Sequence, residues 1–163
     1  MIKGWFPLVV SLAIVSLALS ACGGTPDETA VRGTVSTFEQ TLENVIAGKA
    51  KVAALDDYFA TPAEGANEQG LVNTREAYAS MLNNHVSGVS IVQLSNFRIT
   101  NVEVHQSGGL AKVTYQMDIR IVHGTNQGTA TLTQDFAFLK TPRGWRISGG
   151  DPWRYSNVVG TLP

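Results

Sequence analysis

The sequence has a single cysteine, Cys22, among its 163 residues, so no disulfide can form within the chain. It also lacks any block of like charge. Its 12 basic and 13 acidic side chains are spread along the chain, and the formal net charge is −1. Proteins that bind nucleic acids usually carry a basic patch or stripe. We therefore expect no nucleic-acid partner.

Common catalytic and metal-binding motifs are missing as well. The sequence contains no G-x-S-x-G, no phosphate-binding loop, no dinucleotide fingerprint and no H-E-x-x-H. Its three histidines are scattered. His85 ends a predicted helix, whereas His105 and His123 fall in turns at opposite ends of one predicted strand. This spacing suits no metal site, so the sequence predicts neither a metal nor another cofactor.

The first 21 residues have the pattern of an export signal: Lys3 near the start, an apolar run over residues 5–19, then small residues. The run is short for a membrane-spanning helix. Leu19-Ser20-Ala21-Cys22 resembles the bacterial lipobox. That resemblance implies cleavage between Ala21 and Cys22 and attachment of diacylglycerol to the Cys22 thiol. The alternatives are a plain secretory signal with a chance cysteine, or an uncleaved anchor.

These features divide the chain into a signal peptide (1–21), a lipidated cysteine with a short tether (22–26) and one domain (27–163). The expected location is the cell envelope, with the lipid holding the protein on the outer side of the cytoplasmic membrane or on an outer membrane. The residues after Cys22 are Gly23 and Gly24, and they weakly favour the outer membrane. Thr25-Pro26-Asp27-Glu28 already predicts a helix start, so the tether is brief.

Three helical segments are predicted before any strand. The first has an amphipathic face with apolar residues at helical spacing: Val31, Val35, Phe38, Leu42, Val45 and Ile46. Gly48 ends it. A shorter helix is predicted at 50–59, residues 61–70 have a loop composition, and a third helix starts at Asn73 and places Tyr78 and His85 on its apolar side.

Four strands are then predicted, at 91–104, 110–122, 129–140 and 144–148. Residues 110–122 alternate strictly between apolar and polar, which is typical of a strand with one buried face. The connections are short and rich in turn residues, so neighbouring strands should pair antiparallel. The apolar phase of the first strand changes near Thr100-Asn101, which predicts a β-bulge and a sharp bend of the sheet.

Helices followed by a long, bent antiparallel meander resemble the NTF2-like (SnoaL-like, cystatin-related) cone fold. Gly144-Trp145-Arg146-Ile147 also resembles the final strand of that superfamily. We therefore predict an α+β fold with N-terminal helices packed on a strongly bent β-meander, covering residues 27–155. Another α+β roll, such as a small lipid-binding periplasmic domain, is the alternative. An up-and-down barrel is disfavoured because the strands are too few.

In NTF2-like proteins the helices and the curved sheet enclose a pocket, and the resemblance implies one here. The candidate pocket residues are Tyr58, Phe59, Tyr78, His85, Tyr115, Gln134, Phe136 and Trp145, with Asp151 and Trp153 at the pocket mouth. The alternative for each aromatic residue is a place in the core. Gln134 lies on an apolar face and must be hydrogen-bonded, either to a ligand or to Tyr115 or a buried water. Trp153 and Tyr155 either plug the open end of the cone or are exposed for a partner.

Three functions stay open. The favoured one is a non-catalytic domain that binds a small apolar ligand or scaffolds a protein partner. Enzymes of this fold use Asp/His or Tyr/Asp arrangements, and here that role would fall to Asp56, Asp57 or His85, although solvated positions are expected for the two aspartates. The third is a homodimer through the polar outer face of the sheet, which carries Lys112, Thr114, Gln116, Asp118, Arg120, Thr129, Thr131, Thr133 and Asp135.

Overall fold

The computed structural model of the chain describes residues 24–67, 69–70, 78, 89–105, 107–151 and 153–160. The predicted signal peptide, Ala21 and Cys22 therefore lie outside the described residues. So does the predicted third helix with His85, apart from Tyr78, whose backbone is helical. Within the described ranges, no helix is long and apolar enough to cross a membrane.

Helix α1 (Pro26–Ile46) begins where the sequence predicts. Thr25 is the N-cap, and its hydroxyl accepts a hydrogen bond from the backbone N–H of Glu28 at 3.2 Å. The predicted apolar face is confirmed, because Val31, Val35, Phe38 and Leu42 are all buried. The helix ends before Gly48, whose φ of +69° suits glycine at a helix C-terminus.

The second predicted helix is a 3₁₀ helix and is shorter than expected, at Val52–Tyr58. The segment then turns into the edge of the sheet, where Phe59 bridges to Ile147. An α-helix of three turns would not leave Phe59 free to extend in this way. A further 3₁₀ helix, Pro62–Glu64, lies in the segment predicted as loop, and a capping box between Thr61 and Glu64 stabilises it.

The described residues form an antiparallel sheet of five strands: β1 (Val89–Val104), β2 (Leu110–His123), β3 (Asn126–Thr141), β4 (Gly144–Gly150) and β5 (Arg154–Gly160). The first three pair in chain order. β4 pairs with residues 136–141 of β3, and β5 pairs with residues 128–133 on the same edge. β4 and β5 therefore cover the same edge of β3 one after the other, with a short break in the pairing between the two strands.

β5 corrects the expectation of four strands, since it adds a fifth strand after the last predicted one. β3 has 16 residues but β4 has only 7, so β4 leaves half of the β3 edge unpaired. Backbone N–H and C=O groups in a sheet need partners. Residues 154–160 supply them to the uncovered half of β3.

The core lies between α1 and the inner face of the sheet. Every apolar residue that the alternation of β2 assigned to this face is buried: Ala111, Val113, Tyr115, Met117, Ile119 and Ile121. The predicted bulge is also confirmed, because the register between β1 and β2 shifts between Ile99 and Asn101. Two further shifts occur earlier in β1, and together they curve the sheet around the helix.

Candidate functional site: a buried tyrosine and glutamine cluster

Three polar side chains meet inside the cone. Tyr115 of β2 and Gln134 of β3 are cross-strand partners on the inner face, and Tyr78 approaches from the helical side. All three are buried, with exposed fractions of 1%, 3% and 1% for Tyr115, Gln134 and Tyr78. The sequence analysis left two roles for Gln134, and the structure confirms its bond to Tyr115.

Both tyrosine hydroxyls converge on one acceptor, Gln134 Oε1. The Tyr78 hydroxyl lies 2.7 Å from this oxygen and the Tyr115 hydroxyl 2.5 Å. The two hydroxyls also contact each other. Two O–H groups carry two hydrogens, so they can fill only two of these three contacts. One pair of oxygens in the triangle therefore faces each other without a hydrogen between them.

The hydroxyls of this cluster are neutral at physiological pH. Burial raises the pKa of Tyr78. Burial also raises the pKa of Tyr115, and the adjacent Tyr78 raises it further. Neither phenol can therefore act as a base near pH 7, but each can donate a hydrogen bond.

Aromatic rings enclose the cluster. The Phe136 ring centroid lies 4.9 Å from that of Tyr115, and Phe97 stacks on the other side of Tyr115 at 5.4 Å. Trp153 meets Tyr78 edge-on at 5.3 Å. The Trp153 indole N–H points towards the Tyr78 hydroxyl, but its geometry falls short of a hydrogen bond, and this buried donor has no partner among the described residues.

The interruption between β4 and β5 closes one side of the cluster. Gln134 Nε2 donates to the Asp151 carbonyl at 3.1 Å, and the Asp151 N–H donates to the Asp135 carbonyl at 2.9 Å. Gly150 packs closely here, since a Cβ at that position would lie 3.1 Å from the Phe136 ring. Of the two residues predicted at the pocket mouth, Trp153 covers Tyr78, whereas Asp151 is exposed and contributes its backbone.

The other predicted pocket aromatics lie in the core around this cluster. Tyr58 and Phe59 both pack against Phe38, at 5.4 and 6.3 Å between ring centroids. The Tyr58 hydroxyl is bonded to Thr41 of α1 at 2.7 Å. Trp145 is buried beside the Lys140 ammonium, about 13 Å along β3 from Phe136.

The carboxylates that the sequence analysis considered do not enter the cluster. Asp56 and Asp57 are exposed on the first 3₁₀ helix. Asp118 and Asp135 lie on the outer face of the sheet, as their strand phase predicts. Burial alone would raise the pKa of Asp135, but hydrogen bonding from Thr114 and the charges of Lys112 and Arg154 outweigh it, and the net pKa is lowered. The homodimer predicted for this outer face stays a prediction.

A groove of about 570 Å³ lies on this outer face. Lys112, Ala137 and Leu139 form its floor, and Gly65, Asn67 and Gly70 form a wall above them. Leu110, which is 48% exposed, and His105 lie at one end. The sequence analysis did not predict this groove, because it depends on how the 61–70 segment folds over the edge of β4.

Glu39 is a candidate acid–base group that the sequence analysis missed. It lies on the flank of α1 opposite Thr41 and Tyr58, beside the apolar stripe, and is half-buried. Burial, with a smaller contribution from the Glu43 charge, raises the pKa of Glu39 from 4.5 to about 7. Two sequence signals could have identified Glu39. It directly follows the apolar Phe38, and it lies one helical turn before the like-charged Glu43, so both neighbours disfavour ionisation of its carboxyl.

The cluster predicts an order of stability losses. Gln134→Leu removes the shared acceptor and should cost about 2 kcal/mol, because one buried hydroxyl is left without an acceptor and the Asp151 carbonyl loses its donor. Tyr78→Phe or Tyr115→Phe should cost only about 1 kcal/mol each, because the remaining hydroxyl still bonds Gln134. Urea unfolding measures all three variants. Gln127→Leu, at an exposed glutamine of the same strand, is the control. Equal losses for Gln134→Leu and the control would contradict the cluster.

Glu39 predicts a pH dependence of stability. The folded protein keeps the Glu39 proton up to about pH 7, whereas the unfolded chain releases it near 4.5, so stability falls as pH rises between these values. Because Glu39 is half-exposed, we expect a loss of only about 1 kcal/mol, or about 4 °C in Tm. Thermal melts of Glu39→Gln should show this gain over wild type at pH 8 but not at pH 4. Glu103→Gln, at an exposed glutamate, should behave the same at both pH values.

No protein-family model and no curated protein sequence matches this chain. Solved structures do resemble it. The intermembrane space region of the chloroplast protein ARC6 superposes with a TM-score of 0.54 at 15% identity, over 80% of this chain and 98% of that one. A protein of the NTF2-like family from Streptomyces avermitilis, provisionally assigned as a dehydratase, has a TM-score of 0.53 at 20% identity, over 76% of this chain and 92% of that one.

A hexachlorocyclohexane dehydrochlorinase, LinA type 2, gives a TM-score of 0.53 at 10% identity and covers 83% of this chain and 92% of its own. Identities this low carry information on the fold alone. The helix packed on a strongly curved antiparallel sheet agrees with these structures. The chain therefore has the NTF2-like cone fold.

Proposed function

We propose that this protein is a membrane-anchored lipoprotein whose cone binds a small, largely apolar molecule bearing a carbonyl or hydroxyl oxygen, without altering it chemically. The observation that carries the binding proposal is the Tyr78, Tyr115 and Gln134 cluster. It offers neutral hydrogen-bond donors within a shell of aromatic rings. Its three oxygen atoms make three close contacts with one another, but only two hydroxyl hydrogens are available to fill them.

A ligand oxygen would relieve this mismatch. For this, the Tyr78 oxygen would have to move away from Tyr115 and Gln134, so that the Tyr78 hydrogen bonds the ligand while the Tyr115 hydrogen stays on Gln134. The buried Trp153 N–H, which has no partner among the described residues, would be a second donor for the same ligand atom. The surrounding rings would contact the apolar remainder of the ligand.

Among the residues that the structure describes, none supplies the cluster with a base, and this favours binding over catalysis. The hydrogen-bonding side chains that meet there are two neutral phenols and an amide, and neither group accepts a proton near pH 7. Asp135 follows Gln134 in sequence but faces the opposite side of the sheet, where Thr114, Lys112 and Arg154 surround it.

A fluorescent naphthyl ketone whose emission responds to hydrogen bonding tests the binding proposal. The full chain, purified in mild detergent, should bind it with a spectral shift. Tyr78→Phe removes the donor to the ligand and should weaken binding about tenfold, the value of one net hydrogen bond. Tyr155→Phe, at a half-exposed tyrosine of β5, should bind as wild type does. The proposal would be refuted if the wild type did not bind the ketone. It would also be refuted if Tyr78→Phe and Tyr115→Phe bound it as tightly as the wild type does.

The second candidate is an acid–base enzyme, and Glu39 is the observation that favours it. A carboxylate with a pKa of about 7 suits a general base at neutral pH. Two of the similar structures carry dehydratase or dehydrochlorinase names. The same ketone separates the candidates in D₂O. Accelerated exchange of its α-hydrogens, rising through pH 7 and lost in Glu39→Gln, would establish the enzyme. Binding without exchange would support the binding module.

The anchor rests on the likeness of residues 19–22 to a lipobox, and it has its own test. Bacteria that express the full chain should incorporate labelled palmitate into it, since an acyl chain contributes about 0.8 kcal/mol of membrane affinity for each buried CH₂. Cys22→Ser should abolish the label, because the chain has no other thiol. Ser20→Ala keeps a small residue at its position and should retain it. Label that persists in Cys22→Ser would refute lipidation at this residue.

A further inference from the structure

We propose that one particular end of the domain rests on the bilayer, with Leu110 and Leu139 at the level of the lipid headgroups. This surface, the anchor-proximal end, comprises the start of α1, the turn before β2 and the β3–β4 hairpin. The proposal depends on the lipid anchor proposed above and adds which face of the domain the anchor turns towards the membrane.

The short chain between Cys22 and α1 limits how far the start of α1 can lie from the lipid. Thr25 caps α1, and only Gly23 and Gly24 separate it from Cys22. Three residue steps span at most about 10 Å, even when fully extended. The start of α1 must therefore stay within about 10 Å of an acylated Cys22, which is less than the diameter of the domain.

Contacts around Asp27 identify the parts of the sheet that share this end. The Lys140 ammonium lies 2.6 Å from the Asp27 carboxylate. A Cβ at Gly108, in the turn before β2, would lie 3.9 Å from the same carboxylate. The Lys140 N–H donates to the Gly109 carbonyl at 2.9 Å, which joins the turn to the end of β3. The start of α1 and both turns therefore come together.

The side chains at this end suit a membrane interface. Leu110 and Leu139 are cross-strand partners on the outer face. Leu110 is 48% exposed, so its apolar side chain is available to enter the headgroup region. The Lys140 and Arg143 side chains are 48% and 42% exposed, so their cationic groups can reach lipid phosphates while they hold their carboxylate partners.

The turn between β2 and β3 lies at the opposite end and supplies the control position. β2 runs 14 residues from Leu110 to His123, a contour of about 45 Å. Thr125, which is exposed in this turn, should therefore stand well clear of the headgroups.

Site-directed quenching tests this orientation. Leu110→Cys and Thr125→Cys each add one thiol, and acylation blocks Cys22, so a fluorescent label attaches at a single position. The acylated full-length proteins are reconstituted in phosphatidylcholine vesicles that contain lipids with a headgroup nitroxide. A label that lies close to the headgroups should lose a clear part of its emission, whereas a label far from them should lose none. We expect this loss at position 110 and none at position 125.

Flotation with the vesicles reports the anchor separately from the orientation. Both labelled proteins should float, and the label at 110 alone should be quenched. If both float but position 110 is not quenched, or positions 110 and 125 are quenched equally, the orientation is wrong and the anchor stands. If neither protein floats, the anchor and the orientation that depends on it are both refuted.

Discussion

The shared hydrogen bonding of one buried amide, Gln134, is the constraint on which the inside of this cone depends. Its oxygen accepts from Tyr115 of the neighbouring strand and from Tyr78 on the helical side. Its nitrogen donates to the Asp151 carbonyl, at the step from β4 to β5. An apolar side chain at position 134 could make none of these bonds. One residue therefore ties the helical layer, the central strands and the interrupted edge strand together.

Much of this fold follows from local patterns. β2 is predicted because its apolar and polar residues alternate without exception, and every inward residue is buried. The start of α1 is predicted because Thr25 and Pro26 suit only the first positions of a helix. The bend of the sheet is predicted because the apolar phase of β1 changes near Thr100. In each case the neighbouring residues in sequence decide the structure.

The features that the sequence did not predict depend on distant residues. β5 forms because β4 is too short to cover β3, and nothing within residues 154–160 alternates in a way that shows this. Tyr78 was one of eight candidate pocket residues. It belongs to a polar cluster only because β2 and β3 place Tyr115 and Gln134 side by side. The apolar stripe of the helix that carries Glu39 was clear from the sequence. The pKa of Glu39, however, depends on how much water the packing around α1 removes from its carboxyl.

The placement of charge on β3 explains why the inner face of this strand is neutral. Gln134 and Asp135 are adjacent, so the strand directs them to opposite faces. The amide can be buried because its oxygen and its nitrogen are both hydrogen-bonded, whereas a carboxylate in the same position would need a charged partner. Asp135 finds Lys112 and Arg154 on the outer face. Exchanging the two residues would bury a charge beside two phenols and expose an amide beside two cations. The order Gln-Asp is therefore what allows the cone to hold neutral donors on one side and paired charges on the other.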